Sequence, residues 1–408
     1  MEVKITKLNH SGEGMGTING KIVFIPKTLP GDVVEAKIIK EHKNYIEAIS
    51  TEYKEQSPNR TAIQCPYYQQ CGGCQLMGLS YQEQLNYKKD KATNILKKYA
   101  NLDLNPPIKE SKEYHYRNKI TLQVKNGKIG LYTQNSNDLI PINECLLVSN
   151  SINNIVKLIN NKLNLQSINQ IIIREANNQL MTQFLGKIDE SILIKTLSSH
   201  VSSLYLNNKH LYGTKTITEN LDKYQFLISP ASFFQVNHNQ TINLYNQVKK
   251  YLGPNNNQIL DLYCGTGTIG IYVSDYCQKV TGIELNPSSV KDAQHNIELN
   301  KLTNIKIKQG DVGKVLQAKN TYDAIIVDPP RSGLDKHTRD TLIKIKSPKL
   351  IYISCNPITL ARDLNELKEL YNIEDITLFD MFPNTYHVES VTLLSLKWKN
   401  IIDRNNRW

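Results

Sequence analysis

Long apolar runs are missing from this sequence. The longest, such as Ala324–Val327 and Leu350–Ile353, fall far short of the ~20 residues that a membrane span requires. The opening MEVKITKLNH also lacks the apolar core of a secretory signal, so the expectation is a soluble cytoplasmic chain with no membrane partner. No internal repeat or long linker is evident. Hydrophobic residues make up 40% and charged residues 21%, which excludes bulk disorder, collagen-like and coiled-coil architectures. A length of 408 residues suggests two to three domains at roughly 100–200 residues each, not one small disulfide-stapled module.

What is present begins with charge. The formal net charge is +11, which favours a polyanionic partner. The excess is concentrated between Thr61 and Lys128, where eleven basic residues face five acidic ones. Much of this stretch reads as a helix, because Leu85, Ala92, Ile95, Leu96 and Tyr99 recur at helical spacing. That spacing places the lysines mostly on the other face, and Pro106-Pro107 is expected to end the helix.

Three units are expected. Residues 1–58 alternate apolar and polar positions in short runs divided by glycines, the pattern of a small closed β-barrel. Its near-neutral charge leaves it an accessory part in binding a polyanion at most, or a protein-contact or structural one. Residues 59–230 carry a cysteine group, the basic helix, whose stretch near 82–100 is expected to pack on the carboxy-terminal unit, and α+β patterns without nameable chemistry. In residues 231–408, strand-like runs at Gln258–Leu262, Lys279–Glu284, Ile305–Gln309, Asp323–Asp328, Leu350–Ser354, Glu374–Phe379 and Ser390–Leu396 alternate with helical stretches. This is the signature of a doubly wound α/β sheet, whose ligands bind at the carboxyl ends of the strands.

The first of those strand ends reads Asp261-Leu-Tyr-Cys-Gly265-Thr-Gly267-Thr-Ile-Gly270, where glycines permit a tight turn and let a ligand approach the backbone. Taken alone it matches a dehydrogenase as well as a methyltransferase. Glu284 ends the next strand, where a carboxylate accepts hydrogen bonds from ribose hydroxyls, and both nucleotide cofactors possess those. Two further ends narrow the choice. One is Asp328-Pro329-Pro330-Arg331, a stiff edge able to hold a planar base; the other is Ser354-Cys355-Asn356-Pro357, which puts a thiol at the same edge.

These motifs, together with His387-Val-Glu389, closely resemble the S-adenosylmethionine-dependent RNA (uracil-5-)-methyltransferase family. The resemblance implies a class I (Rossmann-like) α/β methyltransferase domain behind an N-terminal OB-like TRAM β-barrel and a central iron-sulfur, RNA-binding α+β domain. It implies cofactor contacts at Gln235, Tyr263, Glu284 and Asp328, with Phe233 or Phe234 stacking on the target base. Some relatives carry Asn where Thr268 stands, so no contact is carried over to that position.

The chemistry is consistent with that resemblance. Uracil C5 is too weak a nucleophile to attack a methylsulfonium, but addition of a nucleophile at C6 converts the ring to an enolate with electron density at C5. Cys355 is assigned the addition, and a lowered pKa would raise its thiolate fraction. After transfer one hydrogen must leave C5, so a base is needed; Glu389 is the candidate, with His387 a possible orienting partner.

Cysteines without secretory context argue against disulfides, and Cys65, Cys71 and Cys74 fall within ten residues. With Cys145 they offer four soft thiolates, suited by spacing to zinc or to an iron-sulfur cluster; resemblance to the 23S ribosomal RNA branch of the family implies a 4Fe-4S cluster. Cys264 and Cys277 read as packing residues. The leading expectation is methylation of a uridine in 23S ribosomal RNA, with no obligate protein partner. Transfer RNA methylation by the same mechanism, adenine-N6 methylation, and a non-catalytic iron-sulfur RNA-binding protein or NAD oxidoreductase are the alternatives.

Overall fold

The alternating amino-terminal segment forms a six-stranded sheet that closes on itself. The computed structural model describes residues 1–134 and 136–397, so the end of the third expected unit, 398–408, lies outside the described residues. Closure comes from a bend at Ile5-Thr6. Glu2–Lys4 pairs with the strand Val33–Glu41, whereas Lys7–Leu8 pairs with Gly14–Ile18, so one segment joins both edges. Val3, Ile5, Val23, Ile25 and Val34 point inward and are almost wholly buried. The glycines in this barrel serve close approach: a Cβ on Gly14 would lie 2.0 Å from the Thr28 hydroxyl oxygen.

Residues 119–213 build a seven-stranded, mainly antiparallel sheet, covered by the helices Asn150–Lys162 and Glu190–Leu197. The hairpin Ile217–Leu221 and Tyr224–Ile228 packs elsewhere, burying Phe226 in the core of the carboxy-terminal sheet.

That last sheet carries every strand expected from 257 onward. Its spatial order is Ile305–Gln309, Cys277–Glu284, Asn256–Leu262, Ala324–Val327, Lys349–Ser354, Glu389–Leu396 and Tyr371–Phe379. The first five are mutually parallel; Glu389–Leu396 runs antiparallel to both neighbours. Helices cover both faces, which explains the near-continuous apolar strands such as Ala324–Val327. An eighth strand, Ile108–Lys109, joins the Tyr371–Phe379 edge from far upstream.

The basic helix spans Tyr81–Ala100, capped by the Ser80 hydroxyl, and Ala92, Ile95, Leu96 and Ala100 enter the carboxy-terminal core beside the helix Pro357–Leu367. Three details differ from expectation. Asn101, in the left-handed conformation at φ 53°, ends the helix before the prolines are reached. Tyr99 is exposed. Lys88 is fully buried and Lys91 partly so, because their partners lie on the segment 380–386, which helical periodicity cannot show.

Candidate active site and cysteine cavity

The carboxyl edge of the large sheet collects acids. Asp261 accepts a hydrogen bond from the Gly270 amide at 2.9 Å through Oδ2, while its buried Oδ1 has no partner. Glu284 accepts from the amides of Gly265 at 3.0 Å and Asn286 at 2.8 Å, so it braces the glycine-rich turn. Gly265 and Gly267 have φ of 55° and 77°, values that favour glycine. Tyr263, between Leu262 and that turn, also holds a positive φ of 61°, a strained conformation of the kind that collects at ligand sites. Thr268 opens the following helix and shares a 2.9 Å hydrogen bond with the Tyr245 hydroxyl.

Burial pushes the Asp261 carboxyl up to about 8 and that of Asp328 up to about 7. A ligand carrying ammonium and sulfonium charge would offset this surplus of acids, and the open backbone turn accommodates a nucleoside. The residues fit S-adenosylmethionine. Asp261 was not singled out by sequence reasoning, although its place at a strand end directly before the glycines was a usable signal. Gln235 lies on the segment leading into the helix His238–Leu252, where its carbonyl accepts from the Asn118 side chain at 3.3 Å. Beside it, Phe234 is buried against Phe226, whereas Phe233 is 71% exposed, so only Phe233 is free to stack.

The thiol and the second carboxylate meet through strand register. Ser354 pairs with Ser390 in the antiparallel ladder, and continuing that register by one residue sets Cys355 opposite Glu389. An antiparallel strand starts where its parallel neighbours end, which is why Glu389 reaches the same edge. The thiol-bearing turn is fastened to the proline turn: the Asn356 side chain donates to the Arg331 carbonyl at 3.1 Å, and Thr359 donates to the same oxygen at 3.2 Å. Asn356 also caps the helix that begins at Pro357.

Burial, with Glu389 adding to it, pushes the Cys355 thiol up to about 11; Arg331 pulls it down. The site therefore does not lower the thiol's pKa by itself: burial and the Glu389 carboxylate outweigh Arg331. Glu389 is itself raised to about 8 by burial and Asp328. His387 lies against Arg331, whose Nη2 is 3.3 Å from Nδ1, and not in hydrogen-bond contact with Glu389. Burial first, then Arg331, lowers His387 to about 3. A cleft of about 180 Å³ opens on Cys355, and its walls include His10 of the barrel and Lys91 of the long helix. Neither was foreseen, since both reach the site through the fold alone.

Cys65, Cys71, Cys74 and Cys145 line a second cavity, of about 390 Å³, which Phe233 borders. The barrel's Lys27 reaches in from one side, donating to the Cys71 carbonyl at 3.0 Å and to that of Cys74. Asn153 exchanges hydrogen bonds with the Cys145 backbone and fixes the fourth thiol. Burial, then the other thiols, raises Cys74 well above its ordinary value. Among the described residues no three His, Cys, Asp or Glu side chains gather closely enough to hold a single metal ion. The four thiols that line this cavity are soft donors, of the kind that bind zinc or an iron-sulfur cluster.

Comparison with known proteins gives this geometry its setting. The family model tRNA (Uracil-5-)-methyltransferase matches residues 198–397, and the TRAM domain model matches residues 1–50. A Bacillus anthracis protein described as an uncharacterized RNA methyltransferase is 35% identical over 97% of this chain and 96% of its own length. One so described from Aquifex aeolicus is 33% identical over 97% and 99%. The crystal structure of the Pyrococcus abyssi tRNA (uracil-54, C5)-methyltransferase, in complex with S-adenosyl-L-homocysteine, superposes with a TM-score of 0.80 at 27% identity, covering 97% of this chain and 99% of that one. Among the described residues no helix is long and apolar enough to cross a membrane. With a TRAM barrel at one end and an α/β sheet that sets a thiol against a carboxylate at the other, the chain belongs to the RNA (uracil-5-)-methyltransferase family.

Proposed function

We propose that this enzyme methylates C5 of a uridine through a covalent adduct between Cys355 and C6 of the ring. The register that sets Cys355 opposite Glu389 carries the reading. Cys355, as the thiolate left once its proton has passed to solvent, bonds through sulfur to C6 and sends an electron pair through the ring to C5, which then takes the methyl group; Arg331, the cation beside the thiol, favours the thiolate. S-adenosylmethionine, when bound, supplies the electrophilic methyl group. Gln235, Tyr263, Glu284 and Asp328 hold it. Glu389, in its ionised form, then takes the remaining proton from C5, and the released pair expels the Cys355 thiolate from C6. Phe233 stacks on a base that has left its helix or loop.

Cys65, Cys71, Cys74 and Cys145 hold a 4Fe-4S cluster in this reading. Four soft thiols lining one cavity are apt for such a group, and the resemblance to the iron-sulfur branch of the family favours it over zinc. Methyl transfer moves no electron, so the cluster shapes an RNA-binding surface. Free thiols suit the reducing cytoplasm as the compartment. The division at 58 and 230 into barrel, central and catalytic units completes the reading.

The proposed substrate is 23S ribosomal RNA, favoured by the barrel together with the four cysteines. Transfer RNA is the second reading, and one observation favours it: the Pyrococcus abyssi structure that matches this chain over almost its full length is named for transfer RNA. Incubating both RNAs with the protein and labelled cofactor, then mapping fragments by mass spectrometry, separates the two. Label at C5 of a 23S uridine supports the first; label confined to transfer RNA replaces it with the second; label on adenine overturns both.

A further inference from the structure

A second cleft adjoins the one that opens on Cys355, and the two share His10 and Lys91 as a common wall. This neighbour, about 370 Å³, lies between the barrel and the helix Tyr81–Ala100. Its sides are held before any ligand arrives. The Tyr87 hydroxyl donates to the Asn9 carbonyl at 2.7 Å, and Leu79 is buried with Leu29 and Leu76 beneath it.

The lining has a particular chemistry. Lys7 and Lys91 are balanced by Glu83 and Asp90, so the cleft is close to neutral in a protein of net charge +11. A phosphate-binding groove would show a surplus of cations. Amides are prominent in their place, and two solvent-exposed ones, Asn59 just past the barrel and Asn94 on the helix, make no side-chain hydrogen bond among the described residues. A free amide offers one donor edge and one acceptor edge, the complement of a nucleobase edge. His10, on the wall between the clefts, is lowered by burial, Lys91 and Lys98, which leaves a neutral ring suited to stacking.

We infer that this second cleft receives the unstacked base of a nucleotide adjacent to the target uridine, with Asn59 and Asn94 reading its edge and His10 standing between the two bases. The inference rests on the RNA-methylating reading and deepens it. The barrel, through His10, then helps to seat the base, more than the accessory part its charge suggests.

The test uses the full chain and a pool of RNA oligonucleotides with a central uridine and randomised flanks, sequenced before and after capture. Captured RNA should show a base preference at one flanking position. Asn94→Ala and Asn59→Ala should each weaken that preference, by roughly ten- to hundredfold, and leave other positions and S-adenosylmethionine affinity unmoved. A 4-thiouridine placed at that position should crosslink to the peptides that contain His10 or Asn94. Preferences unchanged in both variants, or crosslinks only to other peptides, would overturn the inference even if methyl transfer proceeds. Loss of transfer to C5 with the preference and crosslinks intact would instead defeat the reaction assigned to Cys355.

Discussion

The Lys88 ammonium and the Asp380 carboxylate meet at 2.5 Å with neither side chain exposed, although 292 residues separate them in sequence. Lys88 also donates to the Phe382 carbonyl at 3.0 Å, so the long helix grips the segment leading to His387 and Glu389. Removing one partner leaves an uncompensated buried charge. Lys88→Ala should therefore lower stability by about 3–5 kcal/mol, whereas Lys88→Met combined with Asp380→Leu should recover most of it. Denaturant unfolding of the three proteins checks this, and a single variant as stable as the parent would contradict it.

Glu389 is assigned the last proton transfer, after the methyl group is in place. Glu389→Gln should slow turnover by about 10²–10⁴ and, with ordinary uridine RNA, leave the protein trapped on a methylated base. Denaturing gels of protein mixed with RNA and cofactor report the adduct. Slow turnover without any adduct would place the role of Glu389 before C–S bond formation.

The acidic edge of the sheet sets a pH dependence. Asp261, Asp328 and Glu389 stand at about 8, 7 and 8, against ordinary values of 3.8, 3.8 and 4.5. The folded chain thus holds protons that the unfolded chain has released. Their contribution to stability is complete below about pH 4 and is lost as pH rises through 7 to 8. His387, at about 3, opposes this only below its ordinary 6.5. The Tm of the cofactor-free protein should fall between about pH 6.5 and 8.5 while affinity for the cationic cofactor rises. Calorimetry tests both, and a Tm that climbs across that window would refute the account of burial.

The cysteine cavity makes a compositional claim. Protein purified without oxygen should carry about four iron and four sulfide per chain, with a broad visible absorbance, and Cys74→Ser should lose most of both. Elemental analysis showing about one zinc per chain, or no metal in the parent protein, would remove the cluster from the account.

Much of this was legible in sequence because it is local. Every strand from 257 onward among the described residues could be seen: central ones such as Ala324–Val327 are written as continuous apolar runs, and the edge strand Ile305–Gln309 as an apolar-polar alternation. Cys355 was visible for a similar reason: it follows an apolar strand and precedes Asn-Pro, a helix start. What periodicity could not show is what distant segments contribute. Lys88 looked like a solvated lysine because Asp380 lies so far along the chain. Ile108–Lys109 is too short to announce itself as a strand. His10 belongs to a polar barrel loop by sequence and to the catalytic cleft only by tertiary packing. The thiol's raised pKa was hidden likewise, for it depends first on burial by the folded chain and then on Glu389 arriving opposite Cys355 through antiparallel register.

The most direct test of the central claim is to offer the protein RNA in which 5-fluorouridine replaces uridine, together with S-adenosylmethionine. Fluorine cannot leave C5 as a proton, so Glu389 has nothing to remove and the ring stays bonded to sulfur. Mass spectrometry of the digested complex should find one methylated fluorouridine on the peptide that contains Cys355, and no adduct from Cys355→Ala. An adduct on another residue, or full methylation of ordinary RNA by Cys355→Ala, would contradict the account.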